Sequence, residues 1–208
     1  MENCIESARS HGEFADFIIL SDRELVDCQC YDAHEPSFNN GFFKLHYLKA
    51  GMTRLRYEYF VWLDADSLFF RRPMNILDPV SISPLHTPLR KHSPSCPQRA
   101  WRDTPRQRIV DKLKQYGVEE VEWTSISSFW IVHHEAIETV YELAMGFFNL
   151  LREDNITVNV DIALHYAMMT LCGDPDRHII NNTNTWGEAK ETNPCILHLK
   201  HSETSASN

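Results

Sequence analysis

Nowhere in the 208 residues do eighteen apolar residues follow one another, so no transmembrane segment is expected. A basic surplus is missing as well. Twenty Lys and Arg stand against 29 Asp and Glu, a formal net charge of −9, and general nucleic-acid binders advertise the opposite sign. The opening residues, Met1-Glu2-Asn3-Cys4-Ile5-Glu6, have neither the basic start nor the apolar centre of a secretory leader. The cysteines, at positions 4, 28, 30, 96, 172 and 195, form no Cys-x-x-Cys pair, and in a chain of this size they are expected to be reduced and mostly structural. These absences point to a cytoplasmic protein, or to a soluble domain of a larger one. The sequons Asn155-Ile156-Thr157 and Asn181-Asn182-Thr183 would matter only in a luminal parent. There is no internal repeat.

What is present suits a globular domain. Apolar residues make up 43% and charged residues 24%, and a chain of this length buries about 70% of its unfolded surface. A single domain spanning 1–208 is expected. Residues 2–10 predict a short helix, and Ala15-Asp16-Phe17-Ile18-Ile19-Leu20 a strand. From about Asn40, Phe42, Leu45, Leu48, Met52 and Leu55 recur at steps of three and four, a helical spacing with Lys44 off the main apolar line. Pro79–Ser83 suits another strand. Residues 84–108 form a Pro/Arg-rich loop with half of the ten prolines and six basic residues against the single acid Asp103. A helix is predicted from about Thr104 to Tyr116, stopped by Gly117. Then come a strand at Ser128–Val132, an amphipathic helix through Ile137, Val140, Tyr141, Ala144, Phe147, Phe148 and Leu151, and a helix after Asn159. On that last helix Asp161 and His165 lie one turn apart, on a face away from its core residues. Short strands are expected around 178–182 and 195–199, and the tail, 202–208, should be flexible. Strands alternating with helices define an α/β class.

The most informative stretch is Glu58-Tyr59-Phe60-Val61-Trp62-Leu63-Asp64-Ala65-Asp66-Ser67. Five apolar or aromatic residues read as a strand buried on both faces, typical of the centre of a parallel sheet. It ends in two aspartates spaced i, i+2, which point the same way on an extended chain. Ligands gather beyond the carboxyl ends of such strands, and paired carboxylates suit Mg²⁺ or Mn²⁺ with a phosphate-bearing substrate. The plain alternative is a solvated turn, since aspartate favours turns after strands.

Taken with Phe42-Phe43-Lys44-Leu45 before it and Arg72-Pro73 after it, Val61-Trp62-Leu63-Asp64-Ala65-Asp66-Ser67 resembles the nucleotide-sugar-dependent glycosyltransferases of the GT-A fold, among them retaining enzymes related to glycogenin and to bacterial galactosyltransferases. Three later segments keep the order of that family: Ser127-Ser128-Phe129-Trp130-Ile131 resembles the strand flanking the donor sugar, Asn159-Val160-Asp161 its acidic motif, and Ile196-Leu197-His198 the strand bearing a histidine ligand. The resemblance covers about residues 15–201. It implies a Rossmann-like, mixed but mostly parallel central sheet flanked by helices, though the family's usual first strand is not apparent ahead of the helix at 2–10. It implies a metal-dependent hexosyltransferase that moves a sugar from a nucleoside-diphosphate donor, UDP-sugar first, to a hydroxyl of a glycan, protein or small molecule, with retention. By the same resemblance Asp64, Asp66 and His198 bind Mn²⁺ or Mg²⁺, and Ala65 lies against the ribose. Lys44, Ser127 and Ser128 meet the donor sugar or phosphates, Lys200 and His201 add positive charge beside the diphosphate, and Asp161 holds sugar hydroxyls or acts as the base.

Each residue also has a plainer reading. His198 would be a hydrogen-bonded core histidine, Asp161 a favourable charge at a helix start, and Lys44 a solvated helix residue. Trp101, Trp130 and Trp186 suit either a sugar-stacking platform or the core. Two other functions use the same features. One is a haloacid-dehalogenase-like phosphatase with Asp64 as nucleophile, helped by the acidic run Gly173-Asp174-Pro175-Asp176. The other is a sugar-nucleotide-binding module without catalysis.

Overall fold

The computed structural model describes residues 2–11, 18–21, 29–32, 44–46, 49, 57–64, 67–69, 84–87, 89–91, 105–119, 123–125, 127–156, 160–173, 183–185 and 196–198. In chain order they form α1 (Glu2–His11), β1 (Ile18–Ser21), β2 (Gln29–Asp32), helical residues at 44–46 and 49, β3 (Tyr59–Leu63), β4 (Ser67–Phe69), β5 (Leu85–His86) and β6 (Leu89–Lys91). There follow α2 (Arg106–Gln115), β7 (Trp123–Ser125), β8 (Phe129–His133), a 3-10 turn (His134–Ala136), α3 (Ile137–Glu153), α4 (Val160–Cys172), β9 (Thr183–Thr185) and β10 (Ile196–His198).

Strand β8 organises the interior. It is the inner strand of a three-stranded antiparallel sheet ordered β3-β8-β5, with Leu63 opposite Phe129 and Trp62 opposite Trp130. Phe129, Trp130, Ile131 and Val132 are all buried. Burial on both faces, expected for residues 59–63, therefore belongs to β8. In β3 only Phe60 is buried, and Tyr59, Val61, Trp62 and Leu63 are half-buried. The cause is position, because β8 has a partner on each side while β3 lies at the edge of this sheet among the described strands.

The described strands do not form the mostly parallel central sheet expected of the chain. β1 pairs with β2, and β9 with β10, in parallel, whereas β3–β8, β5–β8, β4–β10 and β6–β7 are antiparallel. The stretch expected to be a long loop, 84–108, contributes β5 and β6 at one end and the start of α2 at the other. The strand expected at 79–83, most of the helix expected over 40–55, and the tail at 202–208 lie outside the described residues.

The helices pack as their apolar spacing requires. Ile137, Val140, Ala144, Phe147, Phe148 and Leu151 of α3 are buried in one cluster with Ile109 and Leu113 of α2, Trp130 of β8 and the inner residues of α4. Phe147 stacks on Tyr166 at 4.2 Å between ring centroids. α4 is buried over most of its surface, because it is apolar nearly all round. His165 therefore lies fully inside the protein, although spacing put it on a face away from the core.

Both α2 and α3 end in the same way, through a left-handed residue that redirects the chain. Gly117 has φ 85°, and the Val118 and Gly117 amides donate to Leu113 O and Lys114 O. Asn155 has φ 54°, and the Ile156 and Asn155 amides donate to Leu151 O and Arg152 O. Each is a Schellman end, closed by burying the residue after the turn, Val118 or Ile156, beside the helix. Among the described residues, no helix is long and apolar enough to cross a membrane.

Candidate functional site

The antiparallel ladder of β3 and β8 runs one bond beyond its last paired residues. The Asp64 amide donates to Ser128 O at 2.9 Å, and Asp64 O accepts from the Ser67 amide at 3.0 Å as the chain passes into β4. α1 packs on β4, and its buried Cys4 lies with Sγ 3.7 Å from the Asp64 carbonyl oxygen. The backbone of Asp64 is thus held by three elements, and its side chain is fixed more closely still.

Lys44 donates to both oxygens of that carboxylate, 2.6 Å to Oδ1 and 2.8 Å to Oδ2, and to Ser127 O at 3.1 Å. An ammonium has three N–H donors, and here each has an acceptor. The lysine side chain is 10% exposed and that of Asp64 23%. Trp62 Nε1 adds a 2.7 Å bond to Oδ1. It reaches because residues i and i+2 of an extended chain project to one side. The Trp62 ring rests on Trp130, with centroids 6.1 Å apart, and the Lys44 ammonium stands 5.7 Å from the Trp62 ring. Such placement over an indole adds a modest cation–π attraction.

Ser127 connects this cluster to α4. Its carbonyl accepts from Lys44, and its amide donates to Asp161 Oδ1 at 2.9 Å. Asp161 lies in the first turn of α4, where a carboxylate is favoured by the helix dipole. Four segments distant in sequence therefore meet: Lys44 with Asp64, Lys44 with Ser127, and Ser127 with Asp161. Next to Asp64 and Trp62, the hydroxyls of Ser67 and Ser128 and the indole nitrogen of Trp130 are buried without a hydrogen-bond partner.

Of the residues singled out in the sequence, Lys44, Asp64, Ser127, Ser128 and Asp161 come together. Lys44 is no solvated helix residue, since it is 8% exposed. His198 is placed at the level of the backbone: β10 pairs with β4 so that His198 faces Ser67, the residue that follows Asp66 in sequence. Ala65, Asp66, Lys200 and His201 lie outside the described residues, as do Trp101 and Trp186. Trp130, weighed as part of a sugar platform, is fully buried under Trp62 and belongs to the core. The Trp62 donor to Asp64 is not among the residues the sequence points to, although its i−2 spacing on a strand is the available signal.

Does this arrangement fit a divalent ion? A carboxylate offers about four acceptor positions. Lys44 and Trp62 already use three of them at Asp64. A divalent ion on the remaining position of Oδ2 would sit within about 4 Å of the ammonium, where the repulsion is on the order of 8 kcal/mol at an effective dielectric of about 20. Asp64 can therefore serve such an ion on one condition, that Lys44 moves away. Among the described residues, no three His, Cys, Asp or Glu side chains are grouped to hold a metal, a set that includes neither Asp66 nor the His198 side chain.

No protein-family model matches the chain. No curated protein matches it either.

Proposed function

We propose that the chain is a nucleotide-sugar-dependent glycosyltransferase of the GT-A type, moving a hexose from a nucleoside-diphosphate donor, UDP-sugar first, to a hydroxyl acceptor with retention. The observation that carries this reading is the convergence of Lys44, Asp64, Ser127 and Asp161 into one hydrogen-bonded cluster, across sequence separations of 20, 83 and 34 residues. The resemblance of the sequence had assigned all four to the donor site. The register of His198 against Ser67 adds support, because it brings the backbone of the third expected metal ligand opposite the residue that follows Asp66 in sequence.

In this reading Mn²⁺ or Mg²⁺ would be held by Asp64, Asp66 and His198, and when bound it supplies Lewis-acid neutralisation of the charge growing on the departing diphosphate. Lys44 brings a second positive charge to the same place on a long, adjustable stem. Asp161, by fixing the Ser127 amide, holds the turn ahead of β8 at the distance from which Ser127 O can accept from Lys44. We infer a cytoplasmic setting from the cysteine spacing, which contains no Cys-x-x-Cys pair. The phosphatase alternative, with Asp64 as nucleophile, would require Lys44 to release that carboxylate just as metal binding does.

The test is a screen of nucleoside-diphosphate sugars with and without Mn²⁺, reading release of the nucleoside diphosphate. Turnover that depends on Mn²⁺ and disappears in Asp66→Asn, with a raised metal requirement in His198→Ala, is the expected result. If no donor is turned over and no nucleotide stabilises the fold, the proposal falls. Stabilisation without turnover would make the chain a binding module.

A further inference from the structure

The Lys44 ammonium is coordinated as a small cation would be. Two carboxylate oxygens of Asp64 and the carbonyl of Ser127 surround it at 2.6, 2.8 and 3.1 Å, in a site where the lysine side chain is 10% exposed. The Asp64 side chain is 23% exposed, and a carboxylate that has given up most of its hydration is stabilised by a positive partner, because an unpaired charge in such a place is unfavourable. A divalent ion would meet the same need. The two cannot share it, since they would repel at short range. Lysine is suited to leaving: its charge is a point at the end of four methylenes, whereas the planar fork of an arginine would hold a carboxylate in a fixed geometry.

We propose that Lys44 and a divalent cation compete for the Asp64 carboxylate, so that Lys44 stands in for the metal in the unliganded chain and is displaced toward the phosphates when a metal–diphosphate arrives. The inference deepens the transferase reading and rests on it for the identity of the anion. It also makes metal and nucleotide binding cooperative without any large movement. The metal alone must evict an ammonium that then has no anionic partner, whereas the metal together with a diphosphate gives that ammonium a new one. Trp62 is the fixed point of the exchange. Its Nε1 donor keeps Oδ1 oriented whichever cation is present, and its ring is held by Trp130.

The experiment is Mn²⁺ binding, read from the free-ion electron paramagnetic resonance signal, for the wild-type chain and Lys44→Met, without nucleotide and then with UDP. The wild type should bind Mn²⁺ weakly alone and more tightly with UDP. Lys44→Met should bind Mn²⁺ alone about tenfold more tightly and lose most of the UDP enhancement, a change of roughly one order of magnitude in the coupling. Equal or weaker Mn²⁺ binding in Lys44→Met overturns the exchange, and so does a chain that binds no Mn²⁺ with UDP present. Should Lys44→Met fail to fold, the wild type alone decides. The indole N–H resonance of Trp62, assigned by its loss in Trp62→Phe, must shift on Mg²⁺ titration in the presence of UDP, and an unmoved resonance rejects the proposal. The outcomes separate the two claims. Exchange without sugar turnover leaves Lys44 as proposed and removes the transferase, whereas turnover with Mn²⁺ affinity indifferent to Lys44 does the reverse.

Discussion

Two lysines of neighbouring helical residues, Lys44 and Lys49, each form an ion pair with a carboxylate at 2.6 Å, and the resemblance ends there. Lys44 and Asp64 have side chains 10% and 23% exposed, with Ser127 O and Trp62 Nε1 completing their shells. Lys49 and Glu138 are 37% and 53% exposed, and the lysine lies over the Tyr141 ring at 4.4 Å. The same distance carries different weight in the two places. At the surface, water replaces either partner at little cost, so such pairs are usually worth almost nothing measurable. In the interior the partners have given up their hydration, and removing one leaves the other stranded. An ion pair marks a functional site through its surroundings, and its length alone says nothing.

The largest effect should follow from breaking the inner pair. Lys44→Met is expected to destabilise the chain by about 3 kcal/mol, the lower end of the range for a buried pair, because Asp64 retains some contact with solvent. The double variant Lys44→Met with Asp64→Asn should recover part of that loss, since the stranded charge is gone. Urea denaturation of the two variants and of Asp64→Asn gives the coupling energy directly. A coupling near zero at 44–64 would make the inner pair no different from the outer one, and the comparison would fail.

A finer cut removes one hydrogen bond and keeps the charges. Trp62→Phe preserves the aromatic contact with Trp130 but deletes the Nε1 donor to Asp64. Loss of a hydrogen bond to a charged acceptor is worth about 1.5–3 kcal/mol, lowered here because Lys44 still holds Oδ1. The expected change is about 1 kcal/mol in urea denaturation. In the donor assay KM should rise more than kcat falls, because the substitution loosens positioning and leaves the charges in place. An unaltered KM would show that Lys44 alone orients the carboxylate.

How much of this was legible in the sequence follows from the range over which each feature is decided. Helix ends were readable where a single residue decides them, as Gly117 does with its left-handed backbone, while the matching role of Asn155 lay hidden behind its sequon. Strand β8 was found from its apolar run, but its rank as the inner strand was not, because the run at 59–63 looks the same in composition and only pairing tells them apart. The members of the candidate site were named from order and resemblance. Their connections were out of reach: nothing local to Lys44 announces that its ammonium is spent on Asp64 and Ser127, residues 20 and 83 positions away. His165 shows the same limit from the other side, since one helix's own periodicity cannot say that neighbours cover every face.

The smallest effect belongs to the outer pair, and pH reveals it more cleanly than mutation. The hydrogen bond that Lys49 donates to Glu138 raises the Lys49 pKa above the ordinary lysine value, outweighing the opposing effect of desolvation. A group whose pKa is higher in the folded state stabilises the fold while protonated in both states, and this contribution fades as pH climbs through the folded value. Any gain from Lys49 is therefore complete at neutral pH and lost only in the alkaline range above about 10. Because both partners are exposed, Lys49→Met should leave the Tm at pH 7 unchanged within the error of the melt, and should only flatten the fall in Tm above about pH 10. A loss at pH 7 as large as that of Lys44→Met would mean that burial does not separate the two pairs, and the site would lose the feature that distinguishes it from an ordinary surface.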